Sequence, residues 1–363
     1  MSATPRTGLV LAGGGMVGGA WMVGALAAIA EETGWDPGAA DFVLGTSAGA
    51  MVGALLATAV PPWLLMAYGA GEELGGIPAL GGPGAKRFGA RLRLHWALPR
   101  PVLGSSRLAF RSLMEPWKYG PAGIIGWLPH GVVSTAPLEE VVRQVVPSGW
   151  SVHPNLWIVA IDYRTGERVI FGRPGAPRAD LAEAVAASCA IPGFYRPVRI
   201  GGRLYVDGGM FSAANLGLMA ASDAELIVCL NPLSSRQRGS LLAANGPIAS
   251  IVRGDNRHIV DGEVAALKRA GRRVLLIEPK LDDVRTMGFN YMSTHHLKEI
   301  AESAIRTTTD SLRRSELGRI LRGLPKGAAS RLRRPAGEPS SWPVELFPPA
   351  KAPAPQTAGS VWR

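Results

Sequence analysis

Cysteine is almost missing from this chain: of 363 residues only Cys189 and Cys229 are cysteines, each among small or apolar neighbours. Neither a disulfide framework nor a cysteine-rich zinc site can be built from two such residues, and both read as reduced, buried thiols. The signatures of zinc fingers, RNA-recognition modules and helix-turn-helix proteins are also absent. Specific nucleic-acid binding is therefore not expected, despite a formal net charge of +11. An uninterrupted hydrophobic run is lacking as well. The most apolar stretch, Gly8 to Ala30, holds seven glycines and has a single Arg6 ahead of it. So many helix-weakening residues argue against a signal peptide or a spanning helix. The expectation is a cytoplasmic protein without a membrane span.

What the chain does contain is an ordinary globular composition, 47% apolar and 18% charged, enough to bury one large core or two smaller ones. Its basic excess is concentrated at Lys86, Arg87, Arg91 and Arg93 and again from Arg313 to Arg334, where Glu316 is the only acidic residue. A solvated basic face is the plain reading of such clusters, and peripheral contact with an anionic membrane is the sharper one.

Along the chain, short buried strands alternate with apolar helices. Thr7 to Ala12 predicts a strand, Ala20 to Glu32 a helix, Asp41 to Gly45 a strand and Ala48 to Val60 a helix closed by Pro61-Pro62. That order predicts a parallel sheet with helices on its faces. Residues 61–130 break the rhythm with Gly, Pro, Arg and four tryptophans, Trp63, Trp96, Trp117 and Trp127. They are expected to form a helical insertion, a lid or both. The rhythm returns with a helix over Ser134 to Val146, strands at Leu156 to Tyr163 and Arg168 to Phe171, a helix at Leu181 to Ser188, and strands ending at Asp207, Leu230 and Glu278. An amphipathic helix from about Ser293 to Arg314 closes the domain expected over residues 1–314, of which 233–314 form its helical C-terminal part. A basic segment, 315–334, and a Pro/Ala-rich tail expected to be disordered, 335–363, follow.

Two motifs compete for the chemistry. Gly13-Gly14-Gly15-Met16-Val17-Gly18 matches a dinucleotide loop between a strand and a helix. That reading needs an acidic residue at the end of a second strand about 20 positions on. Here Glu32 and Asp36 fall in a turn instead. The next strand leads into Gly45-Thr46-Ser47-Ala48-Gly49, a G-x-S-x-G at a strand-to-helix junction. In a chain with 46 glycines the string alone is weak, but its placement suits a nucleophile elbow, which needs small residues around a sharply turned serine.

A serine nucleophile needs a base. None of the histidines, His95, His130, His153, His258, His295 and His296, stands at a strand end beside an acid, and the adjacent His295-His296 pair lacks metal-site spacing. Neither a metal nor a cofactor is expected. Asp207, which ends a short strand and precedes Gly208-Gly209, remains as the candidate.

Taken in order, Gly13-Gly14-Gly15-x-x-Gly18, Gly45-x-Ser47-x-Gly49 and Asp207-Gly208-Gly209 resemble the patatin-like phospholipase family. A small-residue segment, Ala187-Ser188-Cys189-Ala190-Ile191-Pro192-Gly193-Phe194, adds a fourth matching block. The resemblance implies a three-layer α/β/α fold with a mainly parallel sheet. It implies a Ser-Asp dyad without histidine, with Ser47 as nucleophile and Asp207 as general base. It also implies an oxyanion hole from the backbone of Gly13, Gly14, Gly15 and Gly18, and a lipid or other acyl ester as substrate. The family usually carries Arg or Lys just before the last glycine of the loop, where this chain has Val17, a change that bears on headgroup preference and rate. A lipid-binding or scaffolding protein of the same fold with little turnover stands as the alternative.

Overall fold

The computed structural model describes residues 4–69, 104–114, 125–235 and 255–335, with side chains of 68 and 69 left aside. Lys86, Arg87, Arg91, Arg93, Trp96, Trp117 and nearly all of the tail expected to be disordered lie outside the described residues.

Eight strands form one sheet: β1 (Thr7–Leu11), β2 (Phe42–Thr46), β3 (Leu156–Asp162), β4 (Arg168–Phe171), β5 (Val198–Ile200), β6 (Arg203–Asp207), β7 (Leu226–Leu230) and β8 (Arg273–Ile277). The hydrogen-bonded order is β5-β6-β3-β2-β1-β7-β8, with β4 also on β3. Pairs β3-β2, β2-β1, β1-β7 and β7-β8 are parallel, whereas β4, β5 and β6 pair antiparallel. The mainly parallel sheet is thus as expected, with an antiparallel margin.

Side-chain alternation explains why both faces are covered. Leu9 and Leu11 of β1 join one apolar cluster, whereas Val10 and the following Ala12 join another on the opposite face. Over the first face lie α1 (Gly15–Thr33), α2 (Ala48–Ala57), α3 (Pro62–Gly69), α5 (Ala136–Arg143), α6 (Leu181–Ser188) and α9 (Leu297–Arg314). Over the second lie the turn at 213–219 and α7, the helical residues 255–269. The remaining helices of more than one turn are α4 (Ser106–Met114), α8 (Leu281–Met287) and α10 (Glu316–Arg322). This is a three-layer α/β/α sandwich. Among the described residues no helix is long and apolar enough to cross a membrane.

Three local differences from expectation have physical causes. Helix α1 begins at Gly15 rather than near Ala20, so the glycine loop is itself the first turns of a helix. Packing on nearly every side offsets the poor propensity of those glycines. The expected insertion is divided: Trp63, Leu64 and Leu65 of α3 are buried, and the Trp63 indole N–H donates to the Ser330 carbonyl at 2.8 Å, while Trp127 stays exposed. The basic stretch folds back on α1 and the turn after it, and most of its charges find partners. Arg313 makes two hydrogen bonds to Glu32, at 2.6 and 2.9 Å, and Lys326 donates to the Thr33 carbonyl at 2.6 Å. Arg331 clasps the buried Asp36, and Arg314, Arg319 and Arg333 pair with Asp310, Glu316 and Glu31.

Candidate active site

Ser47 stands between β2 and α2 with φ 54° and ψ −122°, a left-handed conformation that a serine adopts only when the surroundings impose it. The two glycines of its motif are required by close packing. A Cβ on Gly45 would come within 2.6 Å of Ala50 Cα, and one on Gly49 would overlap the Leu11 carbonyl. The elbow is therefore built from backbone contacts that no side chain could enter.

Asp207 ends β6 and reaches Ser47 through the register of β3. Strand β2 runs parallel to β3 and ends with Thr46 opposite Val159; β6 runs antiparallel and ends with Asp207 opposite Ala160. Because β4 occupies the other edge of β3 across Ile158 to Ile161, β2 and β6 share one edge and meet end to end. The Ser47 hydroxyl faces the Asp207 carboxylate closely enough to act on its pKa. Asp207 is 4% exposed and its pKa is pushed up to about 6, mainly by burial; the Gly209 N–H, donating at 2.7 Å, and the Ser47 hydroxyl act against that rise. The desolvated carboxylate is a stronger base than one in water.

Residues that motif reading left without a role hold this pair. Ser188 accepts the Ser47 backbone N–H at 2.8 Å and donates its own proton to the Val159 carbonyl at 2.6 Å. The thiol of Cys189 donates to the Ser47 carbonyl at 3.2 Å, and burial, with the nearby Asp207 charge, keeps its pKa well above the usual thiol range. The Ala190 carbonyl accepts the Asp207 N–H at 3.0 Å. The fourth block thus braces Ser47 and Asp207 together. Asn215, fully buried, braces the other side: its amide donates to Thr46 Oγ1 at 3.2 Å, to the Gly208 carbonyl at 3.0 Å and to the Ser212 carbonyl at 2.8 Å. Arg168 donates to its oxygen at 3.1 Å. The block's composition hinted at tight packing, but nothing in the spacing of Asn215 pointed to it.

The glycine loop lies against the serine, with a Cβ on Gly13 falling 3.3 Å from Ser47 Cβ. Its four glycines are not equivalent. The Gly13 N–H donates to the Ala213 carbonyl at 2.8 Å and the Gly18 N–H to the Gly14 carbonyl at 3.0 Å. For Gly14, Gly15 and Met16 no such partner is present among the described residues. These three N–H groups, at the positive end of α1, are the donors left to meet an anion. Val17 is fully buried in the core, and its N–H donates to the Tyr291 carbonyl at 3.3 Å. It supplies packing, not charge.

From Ser47 an apolar channel runs between α1 and α2. Its wall is formed by Gly15, Gly19 and Val23 of α1, by Ala48, Met51, Val52 and Leu55 of α2, and by Leu65, Leu138, Met292 and Leu297, among others. Apart from Ser47, Cys189 and Tyr195, every lining residue is apolar or glycine. Gly15 to Val23 spans about 12 Å at the rise of an α-helix, a length suited to an acyl chain.

The fold is thus that of an α/β/α protein with a strained serine at a strand-to-helix turn, a buried carboxylate nearby and an apolar channel leading from the serine. The sequence profile of the Patatin family, patatin-like phospholipase, matches residues 9–69 and 107–221, and the chain belongs to that family. Those two segments carry all four motif blocks. Among solved structures, VipD from Legionella pneumophila is similar with a TM-score of 0.41 and 16% identity over 88% of this chain and 67% of that one. At the level of the family, the activity is that of a lipid hydrolase.

Proposed function

We propose that the chain hydrolyses carboxylic esters of lipids, phospholipids included, through a dyad of Ser47 and Asp207. The observation that carries this reading is a buried carboxylate, Asp207, at the end of β6 beside a strained serine at the facing end of β2. At neutral pH the carboxylate is charged, yet basic enough to take a proton from Ser47 as its Oγ attacks the ester carbonyl. The oxyanion is met by N–H groups of the glycine loop, of which Gly14 and Gly15, with Met16, are free to donate. Collapse breaks the ester C–O bond, and Asp207 returns the proton to the leaving alcohol. Water then attacks the acyl-serine, passes a proton to Asp207, and the fatty acid leaves as Ser47 regains its hydrogen. The acyl chain lies in the channel between α1 and α2, and the headgroup stays outside it. Work at a lipid–water interface accords with the exposed aromatic and basic residues of the insertion.

A fluorophosphonate probe tests the reading directly. It is expected to label purified protein at Ser47, read by peptide mass spectrometry, and to leave Ser47→Ala unmarked. Folded wild-type protein that takes no label would transfer the weight to a lipid-binding protein without turnover.

A further inference from the structure

We infer that α4 and the turn between β3 and β4 form a docking site for anionic phospholipid bilayers, in which arginines hold headgroup phosphates while a neighbouring apolar stripe enters the acyl region. The inference deepens the proposed function and rests on it only for its purpose.

Helix α4 buries Leu108 against Ile125, Ile161, Tyr163 and Val206, and Ala109 is buried beside it, which fixes its orientation. Its outward face then carries Phe110, Leu113 and Met114 at positions i, i+3 and i+4, and these are 63%, 67% and 59% exposed. Trp127, 48% exposed, flanks the helix; its indole N–H donates to Ser112 Oγ of α4 at 3.2 Å. Three large apolar side chains together on one helix face are not the scattered exposure common on soluble proteins. Phe, Leu and Met on the outward face of an amphipathic helix that also carries arginines, with an exposed Trp nearby, is the composition of an interfacial anchor.

Beside the stripe, Arg107 and Arg111 of α4 line a cleft with Arg164, Thr165 and Arg203. The one buried carboxylate there, Asp162, is fully engaged: it accepts the N–H groups of Arg164 and Thr165 at 2.9 and 3.1 Å and pairs with Arg203 at 3.0 Å. Arg107, Arg111 and Arg164 have no ion pair among the described residues, in contrast to the clasped arginines of the C-terminal segment. Unpaired guanidinium groups converging on a cleft complement a phosphate, which they can grip with two donors each. The alternative source of lipid affinity, the basic stretch from Arg313 to Arg334, is mostly neutralised by its own pairing.

The stripe also leads toward the channel. Leu128, next to Trp127, lies 4.0 Å from where a Cβ on Gly193 would sit, and Ile191 and Tyr195 on either side of that glycine line the channel. A bilayer seated on α4 would bring lipid close to that wall.

The test is co-sedimentation of the full chain with vesicles of phosphatidylcholine alone and of phosphatidylcholine mixed with phosphatidylglycerol, at low salt. Wild type is expected to sediment with the mixed vesicles and not with the neutral ones. Arg107→Gln/Arg111→Gln should weaken that binding by about tenfold or more, since each arginine at an anionic surface contributes appreciably. Phe110→Ser/Leu113→Ser should weaken it as well, with unchanged melting temperature showing both variants folded. As a charge-matched control, Arg314→Gln/Arg319→Gln is expected to stay within about twofold of wild type, these being exposed paired arginines. Wild type that ignores mixed vesicles, an α4 variant that binds like wild type, or a control that loses as much as the α4 pair would each overturn the site. Binding is read without turnover, so a protein that binds through α4 yet takes no fluorophosphonate supports the docking site while sinking the hydrolase reading.

Discussion

Ser47 and Asp207 meet because the strands carrying them end opposite consecutive residues of β3, Val159 and Ala160, on the same edge of that strand. One strand comes from either direction, and the gap between their ends is where the proposed nucleophile and base fit. Most of the behaviour expected of this protein follows from how that junction is closed and braced.

Replacing the base should separate activity from stability. Asp207→Asn is expected to lower kcat by about a hundredfold to ten-thousandfold, the range of a lost general base. The folded pKa of about 6 lies above the ordinary aspartate value of 3.8. The contribution of this group to stability is therefore fully present below pH 4 and is lost as pH rises through 6. At pH 8 the asparagine variant should be more stable than wild type by up to roughly 3 kcal/mol, an advantage that disappears at pH 4. Urea unfolding at the two pH values measures it, and equal differences at both would contradict the assignment.

In the wild type, kcat/KM should rise with pH through about 6 and then level, because only the ionised carboxylate accepts the serine proton. A soluble ester substrate avoids any pH effect on membrane binding. A limb near pH 4 would mean that Asp207 is as hydrated in solution as a surface acid.

Ser188→Ala removes the acceptor of the Ser47 N–H and the donor to Val159 while leaving every proposed reacting group in place. The expected result is a stability loss of about 1–3 kcal/mol from the unsatisfied buried groups, with kcat falling and KM little changed. A fall in stability with kcat intact would show that the elbow holds its shape without this brace.

Chain-length selectivity should respond to Gly19, which faces the channel and has open room: a Cβ there meets only Ala48 Cβ, at 3.9 Å. Gly19→Leu is expected to stabilise α1 by about 0.5–1 kcal/mol through helix propensity while obstructing the channel. Hydrolysis of short acyl esters should persist and that of long ones fall, read from a series of nitrophenyl esters. An unaltered profile would place the acyl chain elsewhere.

The C-terminal clasp can be weighed against a surface pair in the same segment. Asp36 is buried, so Arg331→Ala strands a carboxylate and should cost about 3–5 kcal/mol. Arg319→Ala breaks an exposed pair with Glu316 and should cost under about 1 kcal/mol. Denaturant midpoints of the two variants give the comparison.

Much of the architecture was readable from the chain because it rests on local pattern. Alternating buried strands and apolar helices, the punctuation by Pro61-Pro62, and the small residues around Ser47 and Asp207 are consequences of neighbours in sequence, and they led to the sheet, the elbow and the candidate pair. What they could not supply was anything set by side chains meeting across long separations. Which loop N–H groups stay free depends on Ala213 and Tyr291 arriving from far along the chain. The bracing by Ser188 and Asn215 depends on β3 lying beside β2. The basicity of Asp207 depends on how completely its neighbours exclude water. The same holds for charge: eight basic residues between Arg313 and Arg334 looked free in one dimension, but five of them find carboxylates in three. The arginines of α4 and the β3-β4 turn, unremarkable in the sequence, converge on one cleft with no ion pair among the described residues. Periodicity is a property of a segment, whereas solvation and pairing belong to the packed whole.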